Sequence, residues 1–309
     1  MNGPGCIGVR PFQLNDLEAA ADFGARARAQ DDGVEPFAQR LALIASGPRA
    51  LLPLWRLAVG EDHRVHGIAF AALREARTAS AESTSPLPRS SIEVYGAVEK
   101  ALRRQGLGRR LLEPLLAWAQ TQPETRLRAR VREFPGQRFL EVHGFQQGPA
   151  QLSLARHGAP PAPREGRGVS VKALDRCDQR ALAAFQQLTS DAYADAPDSF
   201  ESPADELEQQ LADLARMLLL GQFEGKPAGY LSAVWLGQTL AIEEVAVLPE
   251  YRRSGLGRAL CAEALRRAQT ALLTVAEQNL AARALYQGLG FQQVGRRVIY
   301  QWAPAGFNT

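Results

Sequence analysis

Two stretches carry residues whose types and spacing can hold a phosphate. YRRSGLGRAL (Tyr251 to Leu260) and LRRQGLGRRL (Leu102 to Leu111) each set two adjacent arginines before a G-x-G pair and another arginine after it. YRRSGLGRAL supplies Arg252, Arg253, Ser254, Gly255, Leu256, Gly257 and Arg258, and LRRQGLGRRL supplies Arg103, Arg104, Gly106, Gly108 and Arg109. Guanidinium groups offer permanent charge and paired donors. Glycines at a strand-to-helix junction let backbone approach a ligand, while the open amides and dipole of a helix N-terminus favour an anion. A pyrophosphate or an isolated phosphate is the matching ligand. Neither stretch has the third glycine and downstream acidic residue of a dinucleotide fingerprint, and nothing reads GxxxxGK[ST]. A blander account also fits one copy alone, with glycines that start a helix and arginines that are solvated.

Arg103 and Arg252, Gly106 and Gly255, and Gly108 and Gly257 are each 149 positions apart, as are Val98 and Val247. HGF at His143 to Phe145 answers LGF at Leu289 to Phe291 at a spacing of 146. A domain-sized repeat in 309 residues indicates a duplicated domain. The Pro- and Gly-rich HGAPPAPREGRG marks the expected boundary: an N-terminal domain over 1–156, a linker over 157–168 and a C-terminal domain over 169–309. Arg74 to Ser90 is too poor in apolar residues for a packed element and reads as a loop.

In the second half, VSVKAL alternates like a strand, and Gln179 to Leu188 and Pro203 to Leu214 have helical spacing. The runs MLLLGQF, AGYLSAVWL and TLAIEEVAV follow as strands. Next come a helix after the glycines, strand ALLTVA, a helix over Asn279 to Leu289, and strand VGRRVIYQW. The order is β-α-α-β-β-β-α-β-α-β, and the first half fits it more loosely.

Before Gly168, 23 basic and 17 acidic residues give +6; after it, 13 and 16 give −3. Asp191, Asp195, Asp198, Glu201, Asp205, Glu206 and Glu208 collect in a stretch without Lys or Arg, which favours a cationic ligand. Cys6, Cys177 and Cys261 lack metal or redox spacing, and His63 and His66 are the only close histidine pair, so no metal is expected. No apolar run approaches membrane-spanning length and no leader pattern opens the chain, which reads as cytoplasmic with no membrane partner. Arg126, Arg128, Arg130 and Arg132 alternate on one strand and could form a nucleic-acid stripe, but a solvated edge strand is the preferred account.

Taken together, R-x-x-G-x-G at Arg252, Gly255 and Gly257, and N-x-x-A-x-x-x-Y-x-x-x-G-F from Asn279 to Phe291, resemble the GNAT acetyltransferase superfamily. The resemblance covers each half almost end to end. It implies an α/β fold of two tandem GNAT-like domains, each a mixed, mostly antiparallel sheet flanked by helices. It implies acetyl-CoA as co-substrate, placed between the strands ending at Val247 and near Ala276. Its pyrophosphate would meet the amides of Arg253 to Arg258, and its pantetheine arm the backbone of Val245, Ala246 and Val247 and the side chain of Asn279. Asn279 is also a good helix N-cap, and the two roles are compatible.

Tyr286 matches the family's general acid for the departing thiolate; a phenol titrates near about 10 and a thiol near about 8.5, close enough for transfer. The alternative is a core tyrosine at helical spacing. An acceptor ammonium must lose a proton, and Glu243, Glu244 or a water relay could take it. Glu243 is favoured because strand alternation gives it the parity of Val245 and Val247. Ala241 and Thr274 stand where some relatives carry a carboxylate.

The first copy keeps Val98, Arg103, Arg104, Gly106, Gly108 and Arg109, but Leu140 falls opposite Tyr286 and Glu133 opposite Asn279. It is expected to hold CoA or to be structural rather than catalytic. The implied activity is N-acetylation of a primary amine, a small cationic metabolite rather than a protein chain, by a monomer or homodimer without nucleic acid. A non-catalytic acyl-CoA-binding protein is the alternative from another class.

Overall fold

The computed structural model describes residues 6–30, 41, 44–45, 50–75, 90–122, 125–132, 134–159, 161, 166–191 and 210–304. Glu133, Asp195, Asp198, Glu201, Asp205, Glu206 and Glu208 lie outside them, as do most of the loop expected over Arg74 to Ser90 and most of the helix expected over Pro203 to Leu214.

The first half contributes β1 (Gly8–Pro11), α1 (Leu17–Gln30), β2 (Arg56–Val59), β3 (Val65–Glu75), β4 (Ser90–Val98), α2 (Leu107–Gln120), β5 (Arg126–Val131), α3 (Phe134–Val142) and β6 (Gln146–His157). The second contributes β7 (Val169–Ala173), α4 (Gln179–Asp191), β8 (Met217–Phe223), β9 (Lys226–Leu236), β10 (Thr239–Val247), α5 (Leu256–Leu265), β11 (Thr270–Ala276), α6 (Leu280–Gln287) and β12 (Gln292–Trp302). The described elements follow the expected order. The β8–β9 hairpin turns on Glu224 and Gly225, both at positive φ (50° and 79°), the twist that suits a two-residue connection.

Two compact units result, but they are not the linear halves. The described part of one comes from residues up to Gly148 and from Val298 onward; that of the other runs from Pro149 to Arg297. In the first, β1 to β4 pair antiparallel in sequence, β4 pairs parallel with β5, and Val298 to Trp302 of β12 pair antiparallel with β5. In the second, β6 pairs antiparallel with β11, β11 parallel with β10, and β9, β8 and β7 follow antiparallel. The first half therefore gives most of its final strand, and the second half the end of its own, to the unit that the other half mostly builds. Sequence periodicity fixes which face of β6 is apolar but not whose core that face covers. Here Leu152 and Leu154 join a core with Leu273, Val275, Tyr286 and Phe291.

This arrangement also corrects the arginine strand. β5 lies between β4 and β12 rather than at a solvated edge. Arg128 is buried, and Arg130 Nη2 lies 3.0 Å from Oε1 of the buried Glu93. A charge held inside a sheet face by a carboxylate is not a surface stripe for a polyanion.

Two outcomes follow from this packing. Leu152→Ala, though in the first half of the sequence, destabilises the second unit by about 2–5 kcal/mol, read from denaturant unfolding. Burial pushes the Cys261 thiol up to about 12, whereas Cys6 and Cys177 are exposed. A small thiol reagent at neutral pH accordingly labels Cys6 and Cys177 in the native protein and reaches Cys261 only after unfolding.

Candidate functional site

The second unit opens where two parallel strands part. β10 and β11 are paired from Thr239 with Thr270 to Ile242 with Leu273, yet β10 continues to Val247 and β11 to Ala276. A β-bulge marks the same point: against β9, Ile242 faces Ala233 and Glu244 faces Ser232, leaving Glu243 as the extra residue. The gap expected between the strands ending at Val247 and Ala276 is thus present. Val245 and Val247 pack against the core that contains Leu256 and Leu260, while Ala246 lies with Tyr230 on the opposite face. The first unit parts likewise: β4 pairs with β5 from Ser91 to Val94 and then runs on to Val98.

Because β10 and β11 are parallel, the helices that follow them both begin at the open end. α5 starts after the β10 loop with Gly255 as its N-cap at φ 91°, where a side chain would be strained. A Cβ there would meet nothing within 4 Å. Arg253 is also left-handed, at φ 69°, at a cost of about 1–2 kcal/mol. Arg104 (φ 64°) and Gly106 (φ 78°) are left-handed at the matching positions of the first unit. Alternating left- and right-handed residues aim successive amides into a concavity that suits an anion. The Leu256 amide donates to Ser254 Oγ at 3.3 Å, while those of Gly257 and Arg258 belong to the first helical turn, which lacks intrahelical acceptors.

The arginines divide by task. Arg252 Nε donates to the Val247 carbonyl (3.2 Å), and Arg103 Nε to Val98 (3.1 Å), so the first arginine of each copy ties the loop to its strand end. Arg258 Nη1 donates to the Gly288 carbonyl (3.1 Å), joining α5 to the C-terminus of α6. Arg109 forms an exposed pair with Glu113 at 3.8 Å. Arg253 and Arg104 keep exposed side chains beside the left-handed turn.

α6 begins at Asn279, whose Oδ1 accepts from the Ala282 amide (3.0 Å), so its N-cap role is realised. The preceding turn is pinned by Glu277, whose amide donates to the Ala150 carbonyl at 2.8 Å. Two hydrogen bonds from Arg296 (2.9 and 2.8 Å) hold the Glu277 carboxyl below its ordinary range. The helix ends in a Schellman motif: Phe291 N donates to the Tyr286 carbonyl, Gly290 N to that of Gln287, and Gly290 has φ 86°. The hydrophobic contact that completes the motif is Tyr286 against Phe291, with ring centroids 5.8 Å apart and edge-on. HGF in the first half makes the same stop, with Phe145 N donating to Leu140 and Gly144 at φ 83°. The repeated glycine–phenylalanine pair is therefore helix-ending chemistry, and Leu140 and Tyr286 occupy equivalent places in it.

The bulge overturns the parity argument for Glu243. Its carboxylate does not follow Val245 and Val247; it is bound by Arg216 Nη1, which also donates to Ser232 Oγ (3.0 Å). Glu244 Oε2 accepts from the Tyr230 hydroxyl at 2.8 Å. Tyr230, Ser232, Arg216 and the strand arginine Arg156, whose Nε donates to the Leu289 carbonyl (2.9 Å), escaped the sequence reading. No motif spacing marks them, because their partners come from distant parts of the sequence.

A family model described as the Acetyltransferase (GNAT) family matches residues 182–291. The chain is 30% identical over 305 residues to a mycothiol acetyltransferase from Clavibacter michiganensis subsp. michiganensis, covering 91% of this chain and 90% of that protein. Among solved structures, a GCN5-related N-acetyltransferase from Sphaerobacter thermophilus superposes with a TM-score of 0.75 at 21% identity, covering 96% and 95% of the two chains. A tandem GNAT protein from the clavulanic acid biosynthesis pathway gives 0.69 at 19% identity, covering 96% and 98%. The motif pair, the strands that part beneath it and the near full-length similarity agree: the chain belongs to the GNAT acetyltransferase family and is an acyltransferase.

Proposed function

We propose that the second unit transfers an acetyl group from acetyl-CoA to a primary amine, and that the acceptor is a small cationic metabolite. The observation that carries this reading is the open end of β10 and β11, with the Gly255 cradle at the end of one strand and the helix of Tyr286 at the end of the other. Open α/β sheets bind ligands at such strand ends.

Acetyl-CoA supplies an activated acyl group as a thioester. The amides from Arg253 to Arg258, with the Arg253 side chain, hold the pyrophosphate; Arg252 and Arg258 act by fixing the loop. The backbone of Val245, Ala246 and Val247, with Asn279, receives the pantetheine arm. The acceptor amine, with a pKa near about 10, arrives as an ammonium and must lose a proton before its lone pair can attack. Glu243 and Glu244, directly or through water, take that proton. Tyr286 gives one to the departing thiolate. Holding both reactants in line supplies much of the acceleration. The first unit, with Val98, Arg103, Arg104, Gly106, Gly108 and Arg109 but Leu140 in place of the tyrosine, holds CoA or serves structure without turnover.

The acidic stretch that includes Asp195 and Asp198 favours a cationic acceptor. The name of the relatives supports a narrower second reading, in which the acceptor belongs to mycothiol chemistry. Mass spectrometry of the product formed from acetyl-CoA and a metabolite extract identifies the acceptor and separates the two.

Tyr286→Phe lowers kcat about 100-fold or more with little change in the KM for acetyl-CoA, followed as thiol release; an unchanged kcat removes Tyr286 from the mechanism. Replacing Asp195 and Asp198 together by Asn raises the KM for the cationic acceptor several-fold, on the order of one exposed ion pair. A KM that stays constant for every active amine rules out that contribution.

A further inference from the structure

Glu243 is the bulged residue at which β10 leaves β11, and its carboxylate lies beside Ser232 of β9. It is met there by a cation of the protein itself. Arg216, just before β8, reaches across β9 and binds Glu243 and Ser232 Oγ through one nitrogen, with Asp213 Oδ2 4.0 Å from its Nε. The Arg216 carbonyl in turn accepts from Arg176 Nη2 at 2.9 Å, which fixes the root of the side chain. The two partners are unequally covered: the Arg216 side chain is 14% exposed and that of Glu243 is 45%. One side of the carboxylate is closed by a guanidinium and the other faces solvent. Its neighbour Glu244 accepts a hydrogen bond from the Tyr230 hydroxyl at 2.8 Å.

We propose that Arg216 determines acceptor specificity as a resident cation: it occupies the Glu243 carboxylate until a cationic acceptor takes its place. This rests on the acetyl-transfer reading above. Exchange of a guanidinium for an ammonium leaves the count of ion pairs unchanged, so a charged amine can displace Arg216, while a neutral molecule of the same shape leaves a carboxylate and a guanidinium apart. Because the Glu243 carboxylate is nearly half exposed, water screens the pair enough for binding to open it. Arg216 thereby raises the acceptor concentration needed for occupancy and restricts occupancy to cations.

The test compares acceptor kinetics at saturating acetyl-CoA, with 1,4-diaminobutane and glucosamine as probes, for the wild type and for Arg216→Met, Arg216→Lys and Ser232→Ala. Arg216→Met lowers the acceptor KM about two- to fivefold, the size of an exposed ion pair, and leaves kcat within about twofold. Arg216→Lys restores the wild-type KM because the charge returns. Ser232→Ala, which removes the second anchor of the guanidinium, lowers KM in the same direction and decides the matter should Arg216→Met fail to fold. An acceptor KM that is unchanged or raised in Arg216→Met, or in Ser232→Ala where the former does not fold, overturns the role of Arg216 and leaves acetyl transfer standing. A wild type that releases no thiol with either probe or with a metabolite extract overturns both.

Discussion

The arrangement depends on a parallel ladder that stops early. Strand pairing satisfies backbone groups at each step, so two strands that separate while both continue must leave facing edges outside the ladder. β10 beyond Ile242 and β11 beyond Leu273 are in that position, and each is secured on its other side, by β9 and by β6. The opening is therefore stiff. An extended ligand entering it can continue the interrupted ladder, which is how a backbone edge recognises a chain without side chains that read it. The bulge at Glu243 is part of the same device, since an added residue bends one strand away from its neighbour.

The positions of the remaining groups follow from that separation. Parallel strands end on the same side, so the N-termini of α5 and α6 arrive together, each with its own cap. Tyr286 is then located by the far end of its helix as much as by the near one. The Schellman stop, the edge-on contact with Phe291, the Arg258 bond to Gly288 and the Arg156 bond to Leu289 all act on the last turn of α6. A side chain held through the termination of its helix has little freedom to drift along the axis.

Much of this could be read from the amino acids. The MLLLGQF and TLAIEEVAV runs are β8 and β10 to the residue, and Asn279 caps the helix the motif placed there. Local periodicity and capping chemistry suffice for such features. Three others were hidden, each for a physical reason. The bulge at Glu243 has no local signature, because neither glycine nor proline marks it, and one extra residue is enough to reverse a parity argument. The arginines of YRRSGLGRAL look equivalent in sequence, yet Arg252 and Arg258 are drawn to carbonyls that come near only in the fold. The allegiance of β6 and β12 was illegible because an alternating strand fits any core of suitable register.

That last feature bears on why the duplicated chain stays whole. β6, encoded beside the copy with Leu140, closes the core around Tyr286; the end of β12, encoded beside the copy with Tyr286, completes the sheet of the other unit. Deleting either half removes strand residues from the unit that is left, so neither unit keeps its full sheet without the other half. The copy with Leu140 is thus tied to the core around Tyr286 by the strand it supplies.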